Sequence, residues 1–154
     1  MRRLVLAAAL LAACAAPNDR TASRVGEPPP RTAVAAVKDP NFILIVAETV
    51  PGTDVDGVSY TKVFVDGREM GKTEVGRKSE TRALPLKLSA GNQPVRLEHW
   101  ILPASGEWTR LDDAFQPRER FVRIEDGTIA RLELRFAEGE ASNTVTLSRE
   151  AASR

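Results

Sequence analysis

His99 is the only histidine of the chain and Cys14 the only cysteine, so the side chains able to act as base, nucleophile or soft metal ligand are few. A histidine base needs a nucleophile to activate, and the sequence holds no Gly-x-Ser-x-Gly turn. One His and one Cys fall short of the four ligands of an ordinary zinc site. His99 sits beside Trp100 in an alternating run, which predicts a structural or surface histidine. Asp112-Asp113 offers two carboxylates, the pair that glycoside hydrolysis uses. No third supporting residue accompanies them, so a solvated loop pair is expected, and hydrolysis by Asp112, Asp113 or His99 is the least favoured reading. Asp54-Val55-Asp56-Gly57 begins like a calcium loop, but the third Asp or Asn and the distant Glu are missing. A turn rich in Asp and Gly is expected there. The sequence therefore predicts no catalytic residue, no metal and no cofactor.

The aromatic residues offer a different chemistry. Tyr60, Trp100 and Trp108 could form a platform on which sugar rings stack. Trp100 lies in a strand-like run, where a core or inter-sheet role is commoner. Trp108 follows Ser105-Gly106-Glu107 in a long insert and is expected to be exposed. Trp100, Trp108 and Phe115 are the candidate binding surface. Arg96, Arg123, Arg131 and Arg135 interleave with Glu98, Glu125 and Glu133, which predicts a solvated sheet face with cross-strand ion pairs. Such charges also guard sheet edges against aggregation.

The elements that must position these residues read as strands. Phe42 to Val46 is an unbroken apolar run rich in β-branched residues, which predicts a strand covered on both faces. In Tyr60 to Asp66, Val63 and Val65 share one side. Leu84, Leu86 and Leu88 alternate across Pro85, and the proline predicts an edge strand or bulge. Val95, Leu97, His99 and Ile101 alternate with Arg96, Glu98, Trp100 and Leu102. Phe121 to Glu125 and Thr128 to Phe136 flank Asp126-Gly127, which predicts a hairpin with a type I′ turn. Val145 and Leu147 give a last short strand. No helical period follows the first residues. The pattern predicts an all-β chain, a small antiparallel β-sandwich of about seven strands over residues 41–149, with a tail at 150–154.

Residues 14–40 lack any apolar period and contain Pro17, Pro28-Pro29-Pro30 and Pro40, which predicts an extended tether. Before it, Met1-Arg2-Arg3 and the apolar run Leu4 to Ala13 have the order of a secretory leader, 1–13. The run is shorter than the about 20 residues that a membrane-spanning helix needs. Leu11-Ala12-Ala13-Cys14 resembles the lipobox of bacterial lipoproteins. That resemblance implies cleavage before Cys14 and a diacylglycerol on its sulfur. Two or more acyl chains anchor stably where one does not. By the same resemblance, Ala15 in place of Asp implies the periplasmic face of the outer membrane. Loss of Arg2 and Arg3 with the leader takes the formal charge from +1 to about −1. A near-neutral, mixed-charge chain is a poor electrostatic partner for nucleic acid. With Cys14 acylated no thiol remains for a disulfide, so the core must come from apolar burial alone.

Val63-Phe64-Val65-Asp66-Gly67-Arg68-Glu69-Met70-Gly71-Lys72-Thr73 resembles the opening of a PEGA-type domain: a strand, an Asp-Gly turn, a second Gly and a Thr. Leu84 to Gly91, Val95-Arg96-Leu97, Phe121 to Gly127 and Leu132-Glu133-Leu134 fill its later strands. Glu74 stands where that family has proline, and Ala104 to Arg118 is an insert. The resemblance implies a non-catalytic surface or envelope module. Together with the lipobox it predicts a non-enzymatic envelope lipoprotein. Its partners would be the membrane, through the lipid anchor, and another envelope protein. A glycan- or peptidoglycan-binding module is the alternative.

Overall fold

The computed structural model describes residues 37–52, 56–137 and 142–152. Their strands are β1 (Phe42–Glu48), β2 (Val58–Val65), β3 (Arg68–Lys72), β4 (Gly76–Arg77), β5 (Arg82–Leu86), β6 (Gly91–Leu102), β7 (Thr109–Arg110), β8 (Arg120–Ile124), β9 (Thr128–Ala137) and β10 (Ser142–Ala151). They form two sheets, and the fold is an all-β sandwich. The four-stranded sheet has the order β10-β9-β1-β5. The six-stranded sheet runs β3-β2-β6-β7, with β4 also pairing β2 and β8 also pairing β6. The predicted leader, Cys14 and nearly all of the tether lie outside the described residues.

Period-two burial builds the core between the sheets. Phe42, Leu44 and Val46 point inward from β1, Leu84 and Leu86 from β5, and Ala130, Leu132, Leu134 and Phe136 from β9. Val63, Val65, Val95, Leu97, Val122 and Ile124 meet them from the other sheet. Each such side chain contributes about 1.5–3 kcal/mol on burial. The expectation of two-sided cover for β1 needs correction, because Ile43 and Ile45 are only half-buried. By register they lie between Pro85 and Ala83 of β5 and Arg131 and Glu133 of β9. Long charged side chains on such a face cover apolar neighbours with their stems.

Three further expectations change. Among the described residues ten strands form rather than about seven, two of them only two residues long. The sandwich is not wholly antiparallel, since β1 and β9 pair in parallel from Phe42↔Ala130 to Glu48↔Phe136. The hairpin around Asp126-Gly127 is not a hairpin. β8 pairs with the first residues of β6, while β9 pairs with β1 and β10. The turn therefore carries the chain from one sheet to the other. Alternation sets which face of a strand is buried but not which neighbour it takes, and β6 and β1 offered longer partners. The two-residue hairpin is at Asp66-Gly67, where both residues have positive φ, 49° and 74°, as a type I′ turn requires. Pro85 does mark an edge, because β5 pairs only with β1.

Gly127 keeps a positive φ of 70° in the crossing turn. The Thr128 amide donates to the Glu125 carbonyl at 3.3 Å and the Ala152 amide to the Gly127 carbonyl at 2.9 Å. A branched side chain there is strained whatever the space. Gly127→Val is expected to cost about 1–2 kcal/mol, read as a lower midpoint in a thermal melt. An unchanged midpoint would contradict the turn geometry.

Candidate functional site

At one end of the sandwich the inward positions change from apolar to polar on four strands. On β1 Glu48 follows Val46, and on β5 Arg82 precedes Leu84. On β2 Ser59 and Thr61 precede Val63, and on β6 His99 follows Leu97. Strand pairing brings them together, with Val46 opposite Arg82 and Thr61 opposite His99. Ser59 Oγ and Arg82 Nη2 both donate to Glu48 Oε1, and Arg82 Nη1 donates to the Ser59 carbonyl. Glu48 Oε2 lies 3.4 Å from His99 Nε2. His99 Nδ1 is 2.9 Å from Thr61 Oγ1, and the His99 ring packs on Phe136 with centroids 4.3 Å apart. Thr73 fixes Thr61 in turn. Its Oγ1 accepts the Thr61 amide at 3.0 Å, and its own amide donates to the Thr61 carbonyl at 2.9 Å.

The partners distinguish the two neutral tautomers of the ring. With hydrogen on Nε2, the ring faces the carboxylate with a donor and leaves Nδ1 to accept from the Thr61 hydroxyl. The other neutral tautomer would set a bare lone pair against Glu48. Burial pushes the Glu48 carboxyl up. The hydrogen bond and charge of His99, the Ser59 hydroxyl and the Arg82 charge outweigh it and hold the group below its ordinary 4.5. Burial lowers Arg82 against the charge and hydrogen bond of Glu48. A guanidinium titrates so far above neutrality that the ion pair persists.

Thr61, His99 and Glu48 form a hydroxyl–imidazole–carboxylate chain, the connectivity of a nucleophilic triad. Thr61 and His99 are both 0% exposed, and both are mid-strand on the inner face. A substrate carbonyl meets that hydroxyl only if the sheets part. As placed, the chain ties one sheet to the other: Glu48 and Arg82 belong to the four-stranded sheet, and Ser59, Thr61 and His99 to the six-stranded sheet.

Gln116 completes the same region. β8 pairs with the start of β6 and β7 with its end, which leaves His99 between them on that edge. The Gln116 side-chain amide fills the place of a strand residue. Its Oε1 accepts the His99 amide at 2.8 Å, and its Nε2 donates to the carbonyls of His99 at 3.1 Å and Leu111 at 2.8 Å. Sequence reasoning set His99 in one alternation with Val95 and Leu97, as a structural or surface histidine, and missed Glu48, Arg82, Ser59, Thr61 and Gln116. The available signal was a polar residue two positions beyond an inward apolar one, at Glu48 and at Arg82.

The aromatic residues lie on the outer face of the six-stranded sheet; Trp100 is buried there, as its strand position favoured, and the expected exposure of Trp108 is corrected. Trp108, expected to be exposed, is 7% exposed, as is Trp100. Trp100 stacks on Tyr60 at 6.0 Å and 7°, and Trp108 meets Tyr60 edge-on at 4.9 Å. Val58, Val75 and Leu102 border this second small core. Lys62 Nζ sits 5.8 Å over Trp100. Burial, with the charges of Glu69 and Glu98, pushes the Tyr60 phenol up to about 12. Phe115 alone of the three proposed binding residues stays on the surface, 41% exposed. The insert wraps back because its Trp108 ring finds Tyr60 within reach, which spacing along the chain does not reveal.

The carboxylate candidates are held locally. Asp113 pairs with Arg110 at 2.6 Å. The Asp112 carbonyl accepts the amides of Phe115 at 2.8 Å and Gln116 at 3.1 Å. Asp56 accepts the Ser79 hydroxyl at 2.6 Å and the Ser79 amide at 3.1 Å, which holds its carboxyl below the usual value. Asp54 lies outside the described residues. Among the described residues no group of three or more His, Cys, Asp or Glu is placed to hold a metal ion. No family model, no curated protein and no solved structure matches this chain.

Two outcomes follow from the buried cluster. Glu48→Ala leaves Arg82 charged and unpaired in the interior, and is expected to cost about 3–5 kcal/mol in urea or thermal unfolding. A loss below about 1 kcal/mol would place the pair in the class of exposed bridges. The Glu48 carboxyl titrates lower in the folded chain than in the unfolded one. Its contribution is complete above pH 4.5 and is lost as pH falls through the folded value. Melting temperature should therefore drop on acidification below that pH, and less steeply in Glu48→Gln. Parallel curves for the two proteins would contradict this.

Proposed function

We propose that this chain is a non-enzymatic lipoprotein of the bacterial cell envelope. A β-sandwich is carried on a Pro-rich tether from an acylated Cys14 at the periplasmic face of the outer membrane. It serves as a protein-interaction module of a larger assembly. The observation that carries the reading is the position of the residues able to do chemistry. Thr61, His99 and Glu48 are bound to one another between the sheets. Presented to solvent instead are sheet faces of mixed charge and the side chains of Met70, Phe115 and Phe121, the last 73% exposed. The burial of Trp100 and Trp108 against Tyr60 favours a protein partner over a glycan stacked on those rings.

Gly67 in the turn and Gly71 in β3, the two glycines of the PEGA-like segment, support the same class of module. Gly67 makes the positive-φ hairpin between β2 and β3. Gly71 faces Leu86 and Leu84, whose methyl carbons a Cβ there would meet at 3.3 and 3.6 Å. Both positions need glycine for a structural reason, one for backbone conformation and the other for close approach.

Two measurements test the proposal. Cys14→Ser is expected to move the protein from the membrane to the soluble fraction of cells. The intact mass of the wild-type protein should exceed that of residues 14–154 by the mass of a diacylglycerol and any further acyl chain. A membrane-free wild-type protein of unmodified mass would overturn the anchor. Cross-linking of the tagged full chain in intact cells, followed by mass spectrometry, is expected to recover one dominant envelope protein. Recovery of wall glycan alone, or of nothing, would overturn the interaction module.

A further inference from the structure

The edges of this sandwich are protected unequally. β5 is five residues long and carries Pro85. β3 is equally short, has a register shift opposite Val63 and Phe64, and bears Arg68, Glu69 and Lys72. β7 has two residues. β8 carries Arg120 and Arg123, and the Arg123 carbonyl accepts Arg149 Nη2 at 3.3 Å. β10 is twice as long as β3, β5 or β8 and carries its charges, Arg149 and Glu150, only near its end. It pairs with β9 over all ten residues without a shift, contains neither Pro nor Gly, and is uncharged from Ser142 to Ser148. Among the described residues no strand pairs with its other side. Natural sheets block long, regular, uncharged edges because their free amide and carbonyl groups recruit another strand.

We propose that β10 pairs antiparallel with β10 of a second copy of this chain, with the two-fold axis at Thr146. The two four-stranded sheets would join into one of eight strands. The central segment Thr144-Val145-Thr146-Leu147-Ser148 reads the same by residue class in both directions from Thr146, and beyond it neutral Asn143 and Ser142 stand opposite Arg149 and Glu150. That is what an isologous contact requires.

Register follows from the faces of the strand. Val145 is buried on the inner face and Leu147 packs partly against the same core, while Thr144, Thr146 and Ser148 are exposed on the outer face. Both cores lie on one side of the joined sheet only if inner residues oppose inner ones, because a slip of one residue reverses every side chain. Registers centred on Val145 or Leu147 keep that parity. The first sets Asn143 against Leu147, and the second sets Arg149 against Val145. Centred on Thr146, Val145 opposes Leu147 and Thr144 opposes Ser148. Arg149 then meets Asn143 and Glu150 meets Ser142, so no like charges face each other. The contact is independent of the lipid anchor.

Disulfide trapping in the full chain with Cys14→Ser tests both the contact and its register. Directly opposed residues of an antiparallel pair have Cα atoms about 4.5–5.5 Å apart, within the about 4.4–6.8 Å that a disulfide spans. Thr146→Cys is expected to give a covalent dimer under mild oxidation. Thr144→Cys alone should stay monomeric, because its two copies would lie four residues, or about 13 Å, apart along the strands. A mixture of Thr144→Cys and Ser148→Cys chains should link. Unchanged tryptophan emission from Trp100 and Trp108 checks that each variant is folded. Folded Thr146→Cys that stays monomeric overturns the proposal. So does Thr144→Cys that links equally well, or linkage in cells to a different protein. The wild-type full chain should also show a concentration-dependent dimer in sedimentation equilibrium, and a monomer at every concentration would overturn the proposal independently.

Discussion

The Glu48 carboxylate joins the two sheets, and the polar end of the sandwich depends on it. One oxygen takes donors from Arg82 of its own sheet and from Ser59 of the other. The second oxygen faces His99, which is tied through Thr61 to Thr73. Burying two charges in this way costs more desolvation energy than their attraction returns unless further hydrogen bonds complete the set. Here the Ser59 hydroxyl and carbonyl supply part of that set, while Glu48 Oε2, Arg82 Nε and His99 Nε2 stay incompletely satisfied. What the cluster contributes is register, since Arg82 meets the Ser59 carbonyl only when β5 and β2 lie at one relative height.

The same constraint explains the unusual edge of β6. A twelve-residue strand is longer than either neighbour on that side, and His99 falls in the gap between them. The Gln116 amide occupies that gap, so the backbone of the buried histidine stays paired as a buried peptide group must. The insert between β6 and β8 serves two purposes. It supplies Gln116 to the strand edge and Trp108 to the ring of Tyr60 on the outer face.

The sandwich class, the inward set Val63, Val65, Val95, Leu97, Leu132 and Leu134, and the edge position of Pro85 were legible because a strand's face alternates residue by residue. Strand partners were not. The Asp126-Gly127 turn has the same local signature whether it closes a hairpin or crosses between sheets, and only pairing with β6 and β1 decides. The polar cluster was hidden for a related reason. Glu48, Arg82 and His99 lie on three different strands; Glu48 and Arg82 each read alone as a charge at the end of a strand, and His99 as a histidine within one. Trp108 was placed outside because it follows Ser105-Gly106-Glu107 in the insert, whereas edge-on contact with the Tyr60 ring brought it in. Of the residues that suggested catalysis or sugar binding, His99, Trp100 and Trp108 were drawn into structural roles, while Asp112, Asp113 and Phe115 stay at the surface. What remains on the surface are charged faces, a few apolar side chains and one unguarded strand edge, which suit contact with another protein.

On the reading proposed above, the buried Glu–Arg–His cluster serves the fold and the surface serves the interaction. The direct measurement is in-cell cross-linking of a full chain carrying Glu48→Leu together with Arg82→Met, beside the wild type. Replacing both charges by apolar residues of similar size removes the cluster without leaving an unpaired ion. The account predicts a folded protein that recovers the same envelope partner at the wild-type level. A folded double variant that loses the partner would contradict it, and would assign the function to the buried cluster instead.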